Sequence, residues 1–225
     1  MALIYDLARF ADSGMNAMQY AQRDWSPYLV HFTKATSLQS IHMMFDGCYT
    51  DPQRVKQCLE DADRNSYEIA SKIIVSGKLL ASLIQDKHSD PCVCFSECTL
   101  PGIIGHSERY GRFGFVFEKR AVYKMGGRPC LYVDDEINSK IKENKHENDV
   151  TERLWGLANV FRPIGKIQDY SHEREWRVFG DFELRDHLCA VITPDYYVTN
   201  VRKLLFSQNY DVPILPIDMV YNWGL

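Results

Sequence analysis

Between Arg112 and Lys119 the chain reads RFGFVFEK, with phenylalanine at 113, 115 and 117. Residues two apart in an extended chain point to one face, so this spacing commits that face of a strand to the interior. A slip of one residue would turn all the rings to the other side, so the pairing register has to be specified. Other short strand candidates flank it: SPYLVHFTK (26–34), CVCFSE (92–97), RPCLYVDD (128–135), EWRVF ending at Gly180, LCAVITP (188–194), KLLFS (203–207) and VPILPID (212–218). Helical spacing marks residues 1–24 (Leu3, Leu7, Phe10) and 37–47 (Leu38, Ile41, Phe45, stopped at Gly47). Residues 53–86 carry one broad apolar stripe and read as a helical insertion or layer. Residues 136–160 have helix-forming composition, with the charged run NSKIKENKHENDVTER as a solvated face. Short strands interspersed with helices, without a regular βαβ repeat, predict an α+β fold with a mixed sheet.

Composition narrows the function classes. The chain has 225 residues, 45% hydrophobic and 25% charged, enough for a sizeable core. A net charge of −4 supplies no global positive field, so any nucleic-acid contact must be local. No apolar run is long enough to span a bilayer, so no membrane partner is expected. The opening MALIYDLARFADSG carries acids and lacks a basic region, so it does not read as a signal peptide. Seven cysteines without a secretion signal suggest reduced thiols in a cytosol, hence no disulfide. Cys92, Cys94 and Cys98 with His106 beyond give a CxC spacing, but paired zinc knuckles are missing. Cys92 and Cys94 fit an apolar strand face, and no metal is expected.

Polar residues interrupt the apolar strands in three places. VHFT places His31 and Thr33 on one strand face. CFSE ends an apolar strand with Ser96, a residue that equally suits a cap for the next helix. SHEREWRVFG carries Glu173 and Glu175 two apart. If the strand runs through both, Glu173, Glu175 and Arg177 share one face, and Arg174, Trp176 and Val178 share the other. Carboxylates near an arginine make an ordinary solvated face. They also make a paired-carboxylate site if the three polar faces converge on one cleft.

LVHFTKATSLQSI, PCVCFSECTLPGIIGHSERYGRFGFVFEK, GGRPCLYVDD and YSHEREWRVF occur in that order. Together they resemble the AbiGi-like group of abortive phage-infection proteins, over most of residues 27–180. More distantly, the polar clusters resemble the layout of ADP-ribosyltransferases, including the DarT-type enzymes that modify DNA. That resemblance implies a split mixed β-sheet flanked by helices. It would make residues 1–225 a single domain with a mainly helical insertion around 53–88. It implies NAD as a substrate held by His31 and Thr33, with Ser96 on the second motif strand. Tyr110 or Phe113 would be an aromatic wall for nicotinamide. Glu175 would be the catalytic carboxylate and Glu173 the substrate-facing acid.

The chemistry needs such groups. Cleaving the nicotinamide–ribose bond develops positive charge on the sugar, which a fixed carboxylate stabilises. A second acid can orient or deprotonate the incoming nucleophile. The resemblance thus implies an NAD-dependent ADP-ribosyltransferase of phage defence or toxin–antitoxin conflict, with a nucleic acid or protein acceptor. The alternative is a non-catalytic partner, an antitoxin or sensor that binds a nucleotide or protein. Glu175 buried against Arg177 alone, with no cavity, would favour the alternative.

Overall fold

Phe113, Phe115 and Phe117 are all fully buried in one hydrophobic cluster, as their alternation requires. A computed structural model describes residues 26–33, 52–83, 91–162 and 171–222. The predicted helices at 1–24 and 37–47 lie outside the described residues.

The strand around these rings is β4 (Gly114–Glu118). It sits inside a seven-stranded sheet of order β11-β10-β4-β1-β3-β8-β5. Its partners are β1 (Tyr28–Phe32), β3 (Cys92–Ser96), β5 (Arg128–Pro129), β8 (Glu175–Phe179), β10 (Leu188–Thr193) and β11 (Ile214–Pro216). Only β10 and β11 pair in parallel, so the sheet is mixed. Its first face carries Leu29, Phe95, Phe115, Phe117, Val178 and Val191. That face is covered by α1 (Pro52–Ser76) through Ala70 and Ile74, α3 (Lys119–Lys124) through Val122, and α6 (Val198–Ser207) through Val201 and Leu205. A two-stranded ribbon of β2 (Lys78–Leu79) and β9 (Phe182–Glu183) closes the same layer. The second face carries Val30, Phe32, Val116 and Ile192 against Ile103 of α2 (Leu100–Tyr110) and Ile217 of α7 (Ile217–Asn222). The architecture is α+β, with a mixed sheet between helices.

The sheet is split near its middle. β1 runs against β4 along its whole length, and β3 does the same against β8. Between β1 and β3 the register holds a single pair, Val30 with Ser96. Beyond it the strands part. His31 bridges the gap by donating from Nδ1 to the Cys94 carbonyl at 2.8 Å. Ser82 then takes the edge of β3, exchanging backbone bonds of 3.0 and 3.1 Å with Cys92.

Several elements differ from the sequence reading. Helix α1 stops at Ser76 rather than running to 86, because Gly77 adopts φ 70° and turns the chain into β2. The run 128–135 is not one strand. After β5 the backbone N–H of Cys130 bonds Glu175, and β6 (Leu131–Val133) then pairs in parallel with β7 (Ala158–Val160) outside the main sheet. The helices α4 (Asp135–Glu143) and α5 (Asp149–Leu157) join those two strands. KLLFS, read as a strand, belongs to helix α6: Val201 and Leu205, four apart, are its buried residues. A five-residue apolar run has no period of its own, and the spacing just upstream decides it. The cap of α2 is Thr99, whose Oγ1 accepts from Gly102 N, and not Ser96. Finally, β8 begins only at Glu175. Residues Ser171–Glu173 form a 3-10 turn, and Arg174 takes a left-handed φ of 44°. Glu173 and Glu175 therefore do not share a strand face by alternation.

Candidate functional site

On β8 the alternation from Glu175 onward is as expected. Trp176 and Val178 turn to the first face, and Glu175 and Arg177 to the second. The register sets Ser96 opposite Glu175 and Cys94 opposite Arg177. Arg177 is 2% exposed and spends its guanidinium within the chain. Its Nε donates to Glu175 Oε1 at 2.8 Å and one terminal nitrogen to Oε2 at 2.9 Å, a bidentate pair. The same terminal nitrogen reaches Asn159 Oδ1 at 2.8 Å, and the other reaches the Gly156 carbonyl. Asn159 closes the ring by donating from Nδ2 to Glu175 Oε2 at 2.8 Å. Cys94, two residues from Ser96 on β3, faces the same pair from the neighbouring strand. Burial pushes the Glu175 carboxyl up, but Arg177, Cys94 and Asn159 outweigh it and hold it below its ordinary range. The contact with Cys92, whose sulfur is 3.8 Å away, and then burial push the Cys94 thiol far up, so it stays protonated.

Glu173 occupies a second, adjoining cluster. Its Oε1 accepts from the Tyr110 hydroxyl and, at 3.2 Å, from Arg109. The same Arg109 nitrogen lies 2.9 Å from His172 Nε2. A guanidinium can only donate, so His172 accepts there and carries its proton on Nδ1. Burial, followed by the bond to Glu173, raises the Tyr110 hydroxyl well above its ordinary value. Behind this pair, His106 is stacked between Phe32 (5.9 Å, 9°) and Tyr110 (6.0 Å, 17°). Burial, then the neighbouring His172 and Arg109, bring His106 down to about 4, so it is neutral at pH 7. Tyr132 links the two clusters. Its oxygen accepts from the Glu175 backbone N–H at 3.0 Å, and burial raises its hydroxyl to about 12, opposed in part by that bond and helped by Cys130, Glu175 and Glu173.

The residues singled out from sequence thus divide between the two faces. Ser96, Glu173, Glu175 and Tyr110 gather on the second face. His31 does not join them, because its register partner is Phe115 and its ring meets Phe95 edge-on at 6.0 Å, both on the first face. Burial lowers the His31 pKa, opposed in part by its bond to Cys94. Thr33 is buried, its hydroxyl donating to the carbonyls of Phe113 (3.3 Å) and Ser66 (3.5 Å). The Phe113 ring is enclosed by Tyr67 and Tyr197. His31, Ser96 and Glu175 therefore do not line one pocket. Sequence reasoning missed Asn159, Tyr132 and Arg109, and weighed His106 only as a metal ligand. Arg177 was legible as a same-face neighbour of Glu175, whereas nothing local marks Asn159 as its partner.

A cavity of about 410 Å3 lies elsewhere, between α5, the turn at Met125–Arg128 and the end of β8. No residue expected from sequence lines it. Among the described residues no helix is long and apolar enough to cross a membrane.

Comparison with known proteins adds the following. Residues 55–154 match the family described as "Putative abortive phage resistance protein AbiGi, antitoxin". The match runs from α1 into α5 and stops short of β8, so it takes in Ser96 and Tyr110 but neither Glu173 nor Glu175. No curated protein matches in sequence. Among solved structures, the chain is similar to DarT of Thermus sp. 2.9 in complex with NAD+, at 12% identity and a TM-score of 0.39, over 84% of this chain and 95% of that one.

Proposed function

We propose that this chain is a non-catalytic, cytoplasmic member of an abortive phage-infection system, an antitoxin that works by binding its cognate toxin. One observation carries this reading. Both oxygens of Glu175 are engaged within the same chain, Oε1 by Arg177 and Oε2 by Arg177 and Asn159. A carboxylate that stabilises a sugar cation must turn a largely uncompensated charge on the reacting centre. Here that charge is already paired with a buried arginine through charge-assisted bonds, which are among the strongest a protein makes. The antitoxin description of the family matched by residues 55–154 supports the same role.

The rival reading keeps the chain as an ADP-ribosyltransferase, with NAD as substrate and a nucleic acid or protein acceptor. The split sheet and the pairing of Ser96 with Glu175 favour it. One experiment separates the two. Purified wild type and Glu175→Gln are incubated with NAD and with DNA, RNA or cell lysate, and nicotinamide release is measured. In parallel each is co-expressed with the growth-inhibiting protein of its system. The antitoxin reading expects background nicotinamide release from both proteins and restored growth with both. Turnover by wild type that falls on the order of 10²–10³ in Glu175→Gln would overturn it in favour of the transferase.

A further inference from the structure

One stripe of α5 is charged and exposed in its first turns and meets the body of the protein only at Gly156. Asp149, Glu152, Arg153, Gly156 and Leu157 fall three and four apart and so share one helix face. Gly156 marks the close approach: a Cβ there would lie 2.6 Å from the Phe179 ring of β8. The helix N-terminus is already satisfied, because Asn148 Oδ1 accepts from the N–H groups of Val150 and Thr151 at 3.0 Å. Asp149, Glu152 and Arg153 are therefore not needed as caps. Instead they line the cavity of about 410 Å3 together with Arg128, Phe179 and Leu157.

Arg128 is held in place from behind. One terminal nitrogen donates to the carbonyls of Tyr123 (3.0 Å) and Gly127 (2.7 Å), and its guanidinium lies 4.0 Å from the centre of the Tyr123 ring. A guanidinium fixed in this way is pre-organised to take an oxyanion with its remaining donors. The cavity volume falls within the range of small-molecule sites, roughly 300–1,000 Å3, and exceeds what a single ion needs. Two arginines suit an anionic group. Two carboxylates accept from hydroxyl or amino groups, and the apolar floor takes a flat ring. A long polyanion suits the site badly, because its flanking phosphates would meet Asp149 and Glu152.

We propose that this cavity is a binding site for a nucleoside monophosphate. Its phosphate is held by Arg128 and Arg153, its hydroxyl or amino groups by Asp149 and Glu152, and its ring by Phe179 and Leu157. The site is separate from the Glu175 cluster and does not depend on the antitoxin reading. The test is calorimetric titration of the full chain with AMP, GMP, CMP and UMP, and with inorganic phosphate and the unphosphorylated nucleosides as comparisons. At least one monophosphate is expected to bind with Kd below about 1 mM, more tightly than phosphate or its nucleoside. Arg153→Met, on an exposed helix face, should weaken it about tenfold or more, and Arg128→Met likewise. Four results would each overturn the proposal: no binding at 5 mM (about five times the expected upper limit for Kd), phosphate alone binding as tightly, unchanged affinity in Arg153→Met, or lost toxin neutralisation in Arg153→Glu with no nucleotide binding. The last would make the cavity a protein interface.

Discussion

His106 is stacked against Phe32 and Tyr110, and burial first, then the neighbouring His172 and Arg109, make its protonation costly. An unfolded histidine titrates near 6.5, and here the folded value is about 4. Between those values the unfolded chain binds more protons than the folded one, so stability rises with pH across this window. The contribution is complete above pH 6.5 and is lost as pH falls toward 4. His31, also lowered by burial, acts in the same direction. Glu175 acts at lower pH, since its folded value lies below the ordinary carboxylate range. Its contribution is present above that range and is lost only as pH falls through the folded value. Urea unfolding at pH 7, 5.5 and 4.5 should show a falling midpoint, and His106→Phe, which keeps a ring in the stack, should flatten part of the slope. A slope unchanged in His106→Phe would show that His106 does not carry it. The sequence singled out His106 only as a remote metal ligand, because stacking partners from β1 and from the turn at 171–173 are not visible in a local motif.

At the scale of elements, Arg177 joins β8 to the excursion that contains α5 and β7. Its bonds end on Glu175, Gly156 and Asn159. Arg177→Met would strip Glu175 of its main counter-charge while leaving it mostly buried, at a cost of roughly 3–5 kcal/mol. Replacing both groups, as in Glu175→Met with Arg177→Met, should recover much of that loss, because the stranded charge is gone. Denaturant midpoints of the two single variants and the double variant measure this coupling, and purely additive losses would show that the pair is not coupled. The alternation Glu175–Trp176–Arg177–Val178 was legible, and it correctly separated core from polar face. The extension of that alternation back to Glu173 failed at Arg174, where one left-handed residue re-aims the chain. A period-2 pattern says which residues share a face only while the backbone stays extended.

At the scale of the molecule, Arg112 ties together parts of the chain far apart in sequence. It makes a bidentate pair with buried Asp63 of α1. It also donates to Asp218 of α7 at 3.2 Å and to the Tyr196 hydroxyl at 2.8 Å. Arg112→Met should cost roughly 3–5 kcal/mol by leaving Asp63 uncompensated, and adding Asp63→Asn should restore part of it. A loss of that size corresponds to about 6–20 °C in Tm for a chain of this length, readable by calorimetry. A shift of no more than a degree or two would mean that Asp63 is solvated or paired without Arg112.

What the sequence determined by itself is local. The phenylalanine alternation fixed β4 and its buried face, strand-like runs located most of the sheet, and the interspersed helices implied an α+β fold. The tertiary structure alone decided the company each polar residue keeps. His31 faces away from Glu175 because its register sets it beside Phe115, and Glu175 is bonded within its own chain because α5 and β7 fold back to bring Asn159 beside Arg177. Side-chain periodicity is written residue by residue. Register and contacts across the sheet depend on which strands pair, and that is settled only when the whole core packs at once.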